Sequence, residues 1–347
     1  ALYKIIDGSP LNGDQPLTPT LKAPDGRPIY NQTGRGTYKG GLYTESGGER
    51  DVFSVAFSRY FNDGDGSFSM GYTHQDIKEL SGMASTTANS SYGKYAASDY
   101  NNRTPQRSIY ETEHRFFATA SSTHYFLGAD KPTTFNLYFE RKSGLPGTYS
   151  WDTYTSRNYG GTAYQQEAFG YEKNLNDDSS HLLYVPSGVS DPNVCWGSCA
   201  APDLAIAAQV LDTLYNKLGL QGYAGQIVPN GVYEYPWRTS LDLKITQILP
   251  GFRAEDEFVI SLGIMNLLNL IDSNKGEAKY GPYNGKMAVL DMYMNEDFTK
   301  YIYPNYRGRG YPDYAYGYNS SNPKGIRKSA VNSIWRAQLG FTYKFSF

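Results

Sequence analysis

From Trp335 to Phe347 the residues sort by parity. Trp335, Ala337, Leu339, Phe341, Tyr343, Phe345 and Phe347 fall on one face of an extended chain, and Arg336, Gln338, Gly340, Thr342, Lys344 and Ser346 on the other, because successive strand side chains point to opposite sides. Such a strand needs an apolar medium on one face and water or a polar interior on the other. It outruns the ~5–6 residues of an ordinary globular strand and reaches the ~9–11 that a membrane strand requires.

The same sorting recurs upstream. Trp237, Leu241, Leu243 and Ile245 oppose Arg238, Ser240, Asp242, Lys244 and Thr246, so charge in this segment sits on the inner face alone. Phe258, Ile260, Leu262 and Ile264 alternate with Val259, Ser261 and Gly263. Phe135, Leu137 and Phe139 alternate with Asn136, Tyr138 and Glu140, and two earlier strands centre on Phe53–Phe57 and Phe68–Tyr72. A seventh, Tyr110 to Ser122, is less regular because Phe116 and Phe117 are adjacent.

The connections alternate too. Asp63-Gly64-Asp65-Gly66, Gly128-Ala129-Asp130-Lys131-Pro132 and Pro250-Gly251-Phe252-Arg253-Ala254 read as short turns; long loops are expected at about 78–108, 143–235 and 270–331. Short turns on one side and long loops on the other are the pattern of a transmembrane barrel, whereas structureless loops beyond ~12–15 residues are uncommon in soluble folds. Residues 1–50, rich in Gly, Pro, Asp and Thr, read as a loop region with one short hairpin near Tyr38 to Tyr43. The expected fold is therefore all-β: about seven antiparallel barrel strands over 51–347, with large loops. If the long loops face outside, the C-terminus is periplasmic.

Composition removes several other classes. No run approaches the ~20 apolar residues of a membrane helix, and the net charge of −2 offers no field for nucleic acid. Cys195 and Cys199, as Cys-Trp-Gly-Ser-Cys, suit a small loop disulfide or half of a metal site; with four scattered histidines the disulfide is favoured, and with it an oxidising compartment. Gly-x-Ser-x-Gly, His-Glu-x-x-His and phosphate-loop signatures are absent, and no enzyme, cofactor or metal is expected. Asp63-Gly64-Asp65-Gly66 has some calcium-loop character but fits a hairpin turn better.

The ending Phe341-Thr342-Tyr343-Lys344-Phe345-Ser346-Phe347 resembles the last strand of outer-membrane proteins, whose terminal aromatic, here Phe347, serves as a barrel-assembly signal. Met265-Asn266-Leu267-Leu268-Asn269 is similar to the end of the penultimate strand of TonB-dependent receptors, and the loops are similar in character to the Oar-like branch. The resemblance covers about residues 50–347. It implies a barrel of about twenty-two strands, an N-terminal plug, a TonB box and import of a large scarce solute such as a peptide, glycan or metal chelate. Neither plug nor box is recognisable here. Seven strands leave two open edges, which hydrocarbon does not tolerate, so the remaining strands and plug are expected in another polypeptide or a cleaved N-terminal part, and Ala1 reads as an internal or processed start. The TonB complex, outer-membrane lipid and a surface accessory protein are the implied partners.

Tyrosine crowds the long loops. Tyr154, Tyr164, Trp196, Tyr303, Tyr306 and Tyr314 are the candidate ligand contacts, since such rings give rigid area and a hydroxyl at low entropic cost; the alternative is that they pack the loops together or form an aromatic belt. Arg238, Asp242, Lys244, Arg336 and Lys344 are expected to face a lumen and contact a plug. A helix is expected over Pro202 to Leu218, with Leu204, Ala207, Leu211, Leu214 and Leu218 on one face and Gly219 as its stop. Two further readings compete with the transporter: a non-energised barrel anchoring loops for adhesion or partner binding, and a soluble carbohydrate-binding β protein.

Overall fold

The computed structural model describes residues 2–6, 19–30, 39–43, 45–80, 91, 96–152, 158–159, 162–163, 169, 181–253, 255–281, 285–295, 297–303 and 325–345. Its main element is an antiparallel meander of seven strands: β1 (Glu49–Phe61), β2 (Gly66–Glu79), β3 (His114–His124), β4 (Thr133–Lys142), β5 (Arg238–Pro250), β6 (Glu257–Met265) and β7 (Arg336–Lys344). Each pairs with its neighbour in sequence, so β1 and β7 are the two edges. Among the described residues no helix is long and apolar enough to cross a membrane, and the sheet does not close on itself.

Register carries the parity across every strand. Ser54, Thr73, Arg115, Lys142 and Arg238 form one cross-strand row, and Lys244, Gly263 and Gln338 continue the same face. The opposite face runs Val55, Tyr72, Phe116, and from Phe139 through Leu241, then Leu262 and Leu339. The irregularity at Phe116-Phe117 resolves here. Phe116 stands on the apolar face; Phe117 points to the polar one, where it lies over Gly71, and a Cβ on that glycine would come within 2.5 Å of the ring. A residue without a side chain lets the aromatic cover the opposite strand, as edge-to-glycine aromatic pairs do in designed sheets.

Short connections lie at one end of the sheet and long ones at the other. At the long end the loops do not remain separate. Pro146–Asp152 pairs in parallel with Lys286–Asp291, and Val194–Trp196 with Tyr301–Tyr303, so the two longest loops share sheets. Loop 80–113 joins through Ala97 opposite His181. The contiguous core of the molecule is in this loop body, around Trp151, Tyr149, Leu183, Leu214, Val289 and Tyr301, and not in the sheet.

The amino-terminal region departs from the expectation. Lys39–Tyr43 does not turn back on itself; it pairs with Leu2–Ile6, while the hairpin is Pro19–Lys22 with Pro28–Tyr30. The turn between them is Ala23-Pro24-Asp25-Gly26-Arg27, where Gly26 takes φ +87° and the Gly26 N–H donates to the Ala23 carbonyl. Ala23, Arg27 and Ile29 are buried in the loop body, so this stretch is part of its core.

The helix is present in altered form. α1 (Leu204–Leu211) starts at Asp203, whose carboxylate accepts the Ala205 N–H at 2.8 Å, a side-chain N-cap. It then widens into a π segment, Asp212–Lys217, before Gly219 at φ +71°. The residues turned to the core are Ala207, Val210, Thr213, Leu214 and Leu218; Leu204, expected on that stripe, is 65% exposed, because it is the first residue of the helix and precedes the turn that meets the core. Cys195 and Cys199 are joined by a disulfide just before this helix, and Gly197 at φ +73° makes the bend between them.

Candidate functional site: the polar sheet face and the loop body at its end

All five residues expected to face a lumen stand on the polar face. Arg238 lies opposite Lys142, Lys244 opposite Gly263, and Arg336 opposite Met265. Lys344 pairs with Glu257 at 2.9 Å near the short-turn end, and both are exposed. Asp242 acts locally, its carboxylate accepting the Asn266 N–H at 2.7 Å. Asn266 sits in the left-handed region (φ 56°), which asparagine tolerates better than most residues. Its side-chain amide donates to the carbonyls of Gly276 and Ser333, each at 2.9 Å. The Asn-Leu-Leu-Asn stretch thus ties both ends of the last long loop to the rim.

Between these groups the polar face holds an open hollow of about 510 Å³, lined by Ser67, Ser121, Asn136, Tyr138, Asp242, Lys244 and Gln338 among others. Charge continues toward the long-loop end, where the Arg115 guanidinium meets Glu140 at 2.7 Å and Lys142 meets the same carboxylate at 3.2 Å. Such a face offers donors and acceptors to a polar solute or to a polypeptide packed against it.

The loop body above it is held by aromatic rings around one buried ion pair. Arg27 meets Asp25 at 2.5 Å, donates to the Leu182 carbonyl, and lies 4.4 Å from the Trp151 ring centroid and 5.2 Å from that of Phe169. A buried charge is tolerable only when paired and hydrogen-bonded in this way. Burial alone would push the Arg27 guanidinium down, but Tyr301 and Asp25 beside it outweigh that and raise it. Burial would likewise raise the Asp25 carboxyl; the Arg27 charge wins and holds it below its usual range. His181 is driven well below its ordinary value by burial, with Arg27 and Lys286 adding positive charge nearby.

Trp196 and Tyr303, two of the six aromatic ligand candidates, belong to this packing: they are 3% and 0% exposed. The Trp196 indole N–H donates to the Val189 carbonyl at 2.8 Å, and the Tyr303 hydroxyl to the Tyr184 carbonyl at 3.0 Å. The two residues pair across the two longest loops, Trp196 opposite Tyr303. Tyr154, Tyr164, Tyr306, Tyr314 and the terminal Phe347 lie outside the described residues.

Sequence reasoning missed Arg27 and Asp25, since a Pro-Asp-Gly-Arg-Pro turn reads as exposed loop, and no local pattern announces that it will be buried. It also missed Arg107. That guanidinium reaches Glu111 at 2.5 Å, Glu113 at 2.6 Å and Glu234 at 2.7 Å, joining loops 80–113 and 143–235 at the rim. No known protein family, curated protein or solved structure matches the chain.

Proposed function

We propose that this chain is the C-terminal wall of an outer-membrane β-barrel of the TonB-dependent receptor kind, with its long loops outside and its C-terminus periplasmic, and that the whole barrel imports a large scarce solute. One observation carries the reading: along most of the sheet parity sorts the strands into a polar and an apolar face, and large side chains on the apolar one, Phe53, Phe57, Leu339 and Phe341 among them, are exposed. Phe341, at its centre near one edge, is 60% exposed. A row of such residues in water would be a severe aggregation liability; against hydrocarbon it is the expected surface. Aromatics mark both ends of that face or its turns, Trp237 and Trp335 at the loop end, and Phe126, Phe345 and the 97%-exposed Phe252 at the turn end, where membrane barrels carry their interfacial girdles.

On this reading the polar hollow faces a lumen and packs against a plug, and the open edges of β1 and β7 pair with strands supplied by the rest of the barrel, since unpaired backbone groups cannot face lipid. The same geometry supports a second reading, a non-energised barrel displaying a surface module, because the three loops form one cored body able to present a fixed surface. The presence of a plug and TonB box in the partner segment separates the two.

The test is intact-mass analysis of the assembly extracted in detergent, unheated and after heating. The transporter reading expects the chain to be released by heat from a larger species bearing a plug and a TonB box. Recovery of the chain alone, or from the soluble fraction without detergent, would overturn it.

A further inference from the structure

At the rim of the sheet, where β2 and β3 pair, His74 stands opposite His114, and their rings stack with centroids 5.1 Å apart. Glu113 precedes His114. One nitrogen of each ring and one Glu113 oxygen all lie within 4.8 Å of one another. We propose that these three side chains form a three-ligand site for a divalent transition metal, zinc foremost, that joins β2 to the start of β3 at the rim of the sheet. Two imidazoles and a carboxylate are a borderline donor set suited to zinc, with a water in the fourth position.

The surrounding groups are arranged as metal ligands require. The Tyr72 hydroxyl lies 2.9 Å from Nδ1 of His114, which fixes the ring and leaves Nε2 toward the Glu113 carboxylate, 3.3 Å away. Arg107 takes the other Glu113 oxygen, so the first is held toward the imidazoles. Such partners behind the ligands orient them and raise their affinity. The Trp237 ring stacks on His114 at 5.9 Å and limits its rotation. On His74, Nδ1 is enclosed without a hydrogen-bond partner, a cost that a cation bound at that nitrogen would relieve.

Charge points the same way. Three carboxylates, Glu111, Glu113 and Glu234, share the single guanidinium of Arg107, leaving an excess of negative charge beside two imidazoles. Bonds of about 2.0–2.2 Å fit the 3.3 Å separation of the His114 and Glu113 donors as they stand, and rotation of the His74 side chain brings the third donor in while the backbone register stays.

The experiment is a cobalt titration of the tag-free, detergent-purified full assembly after chelator treatment, followed by visible absorption and bound-metal stoichiometry, then competition with zinc. One equivalent with a d–d band is expected, displaced by zinc. It should be lost in His74→Gln with His114→Gln, retained in His124→Gln, and weakened about 10–100-fold in Tyr72→Phe. Should the histidine pair variant fail to assemble, Glu113→Gln, which keeps the side chain's shape, must by itself weaken binding. Equal cobalt binding in wild type and these variants, or none in wild type, would overturn the proposal. The result does not depend on whether the barrel transports anything.

Discussion

In the sheet, Phe53, Phe57, Leu339 and Phe341 keep large apolar side chains exposed along one face, while in the loop body Trp151, Tyr149, Tyr301 and Tyr303, bulkier and more polar, are buried. The sheet has regular hydrogen bonding and no core; the loop body has short, irregular strands and a contiguous one. Long connections that look structureless one at a time fold because they interlock, through the parallel pairings of 146–152 with 286–291 and of 194–196 with 301–303. The two regions therefore answer to different solvents. The loop body encloses its own core, ion pair included, whereas the sheet leaves large apolar side chains exposed along one face and ends in two edge strands.

That contrast can be broken at either end. The largest effect is expected from Asp25→Ala, which strands the buried Arg27 charge; breaking such a pair costs about 3–5 kcal/mol. Limited proteolysis should show the loops opening while the sheet keeps its resistance, and Asp25→Leu combined with Arg27→Met should recover much of the loss. Next comes Leu339→Arg on the apolar face, about 2–4 kcal/mol if it meets the middle of a bilayer. The yield of membrane-inserted protein should fall, whereas Gln338→Arg, one residue away on the polar face, should leave it unchanged. Equal effects from both would erase the distinction between faces.

Removing the Cys195–Cys199 bond with paired serines should cost about 2 kcal/mol for so short a loop, read as faster cleavage near α1 with the sheet unaffected. The smallest effect is acid loosening of the loop body. His181 is held neutral in the fold, so below its ordinary value of about 6.5 the unfolded chain binds a proton that the folded one refuses. Stability is then lost as pH falls, by up to about 1.4 kcal/mol per pH unit. Hydrogen exchange at pH 7 and pH 5 should show that change in the loops, and His181→Phe should flatten it.

Much of the sheet was legible because period-2 sorting is a local property. Leu339 and Gln338 declare their faces without any knowledge of neighbours, and the short turns at Gly64 and Gly128 carry their own chemistry. Even the doubled Phe116-Phe117 was only a departure in sequence; Gly71, forty-five residues earlier than Phe116 in the chain, explains it. The loop body was not legible in the same way. That Arg27 would lie over Trp151, or His74 opposite His114, depends on registers between segments far apart, and no periodicity encodes such pairings. The helix fell between these cases: Asp203 and Gly219 mark its ends, but the π segment that shifts its buried face has no sequence signal that we can name.

The claim on which the rest depends is that the apolar face meets hydrocarbon. It is tested most directly by placing single introduced thiols along β7 at Gln338, Leu339, Gly340 and Phe341, labelling each with a nitroxide in the reconstituted assembly, and comparing accessibility to oxygen and to a water-soluble paramagnetic reagent. The native cysteines, being paired, leave each introduced thiol as the labelling target. Alternation is expected, with Leu339 and Phe341 open to oxygen and shielded from the polar reagent, and Gln338 and Gly340 the reverse. Uniform access of the polar reagent to all four positions would contradict it.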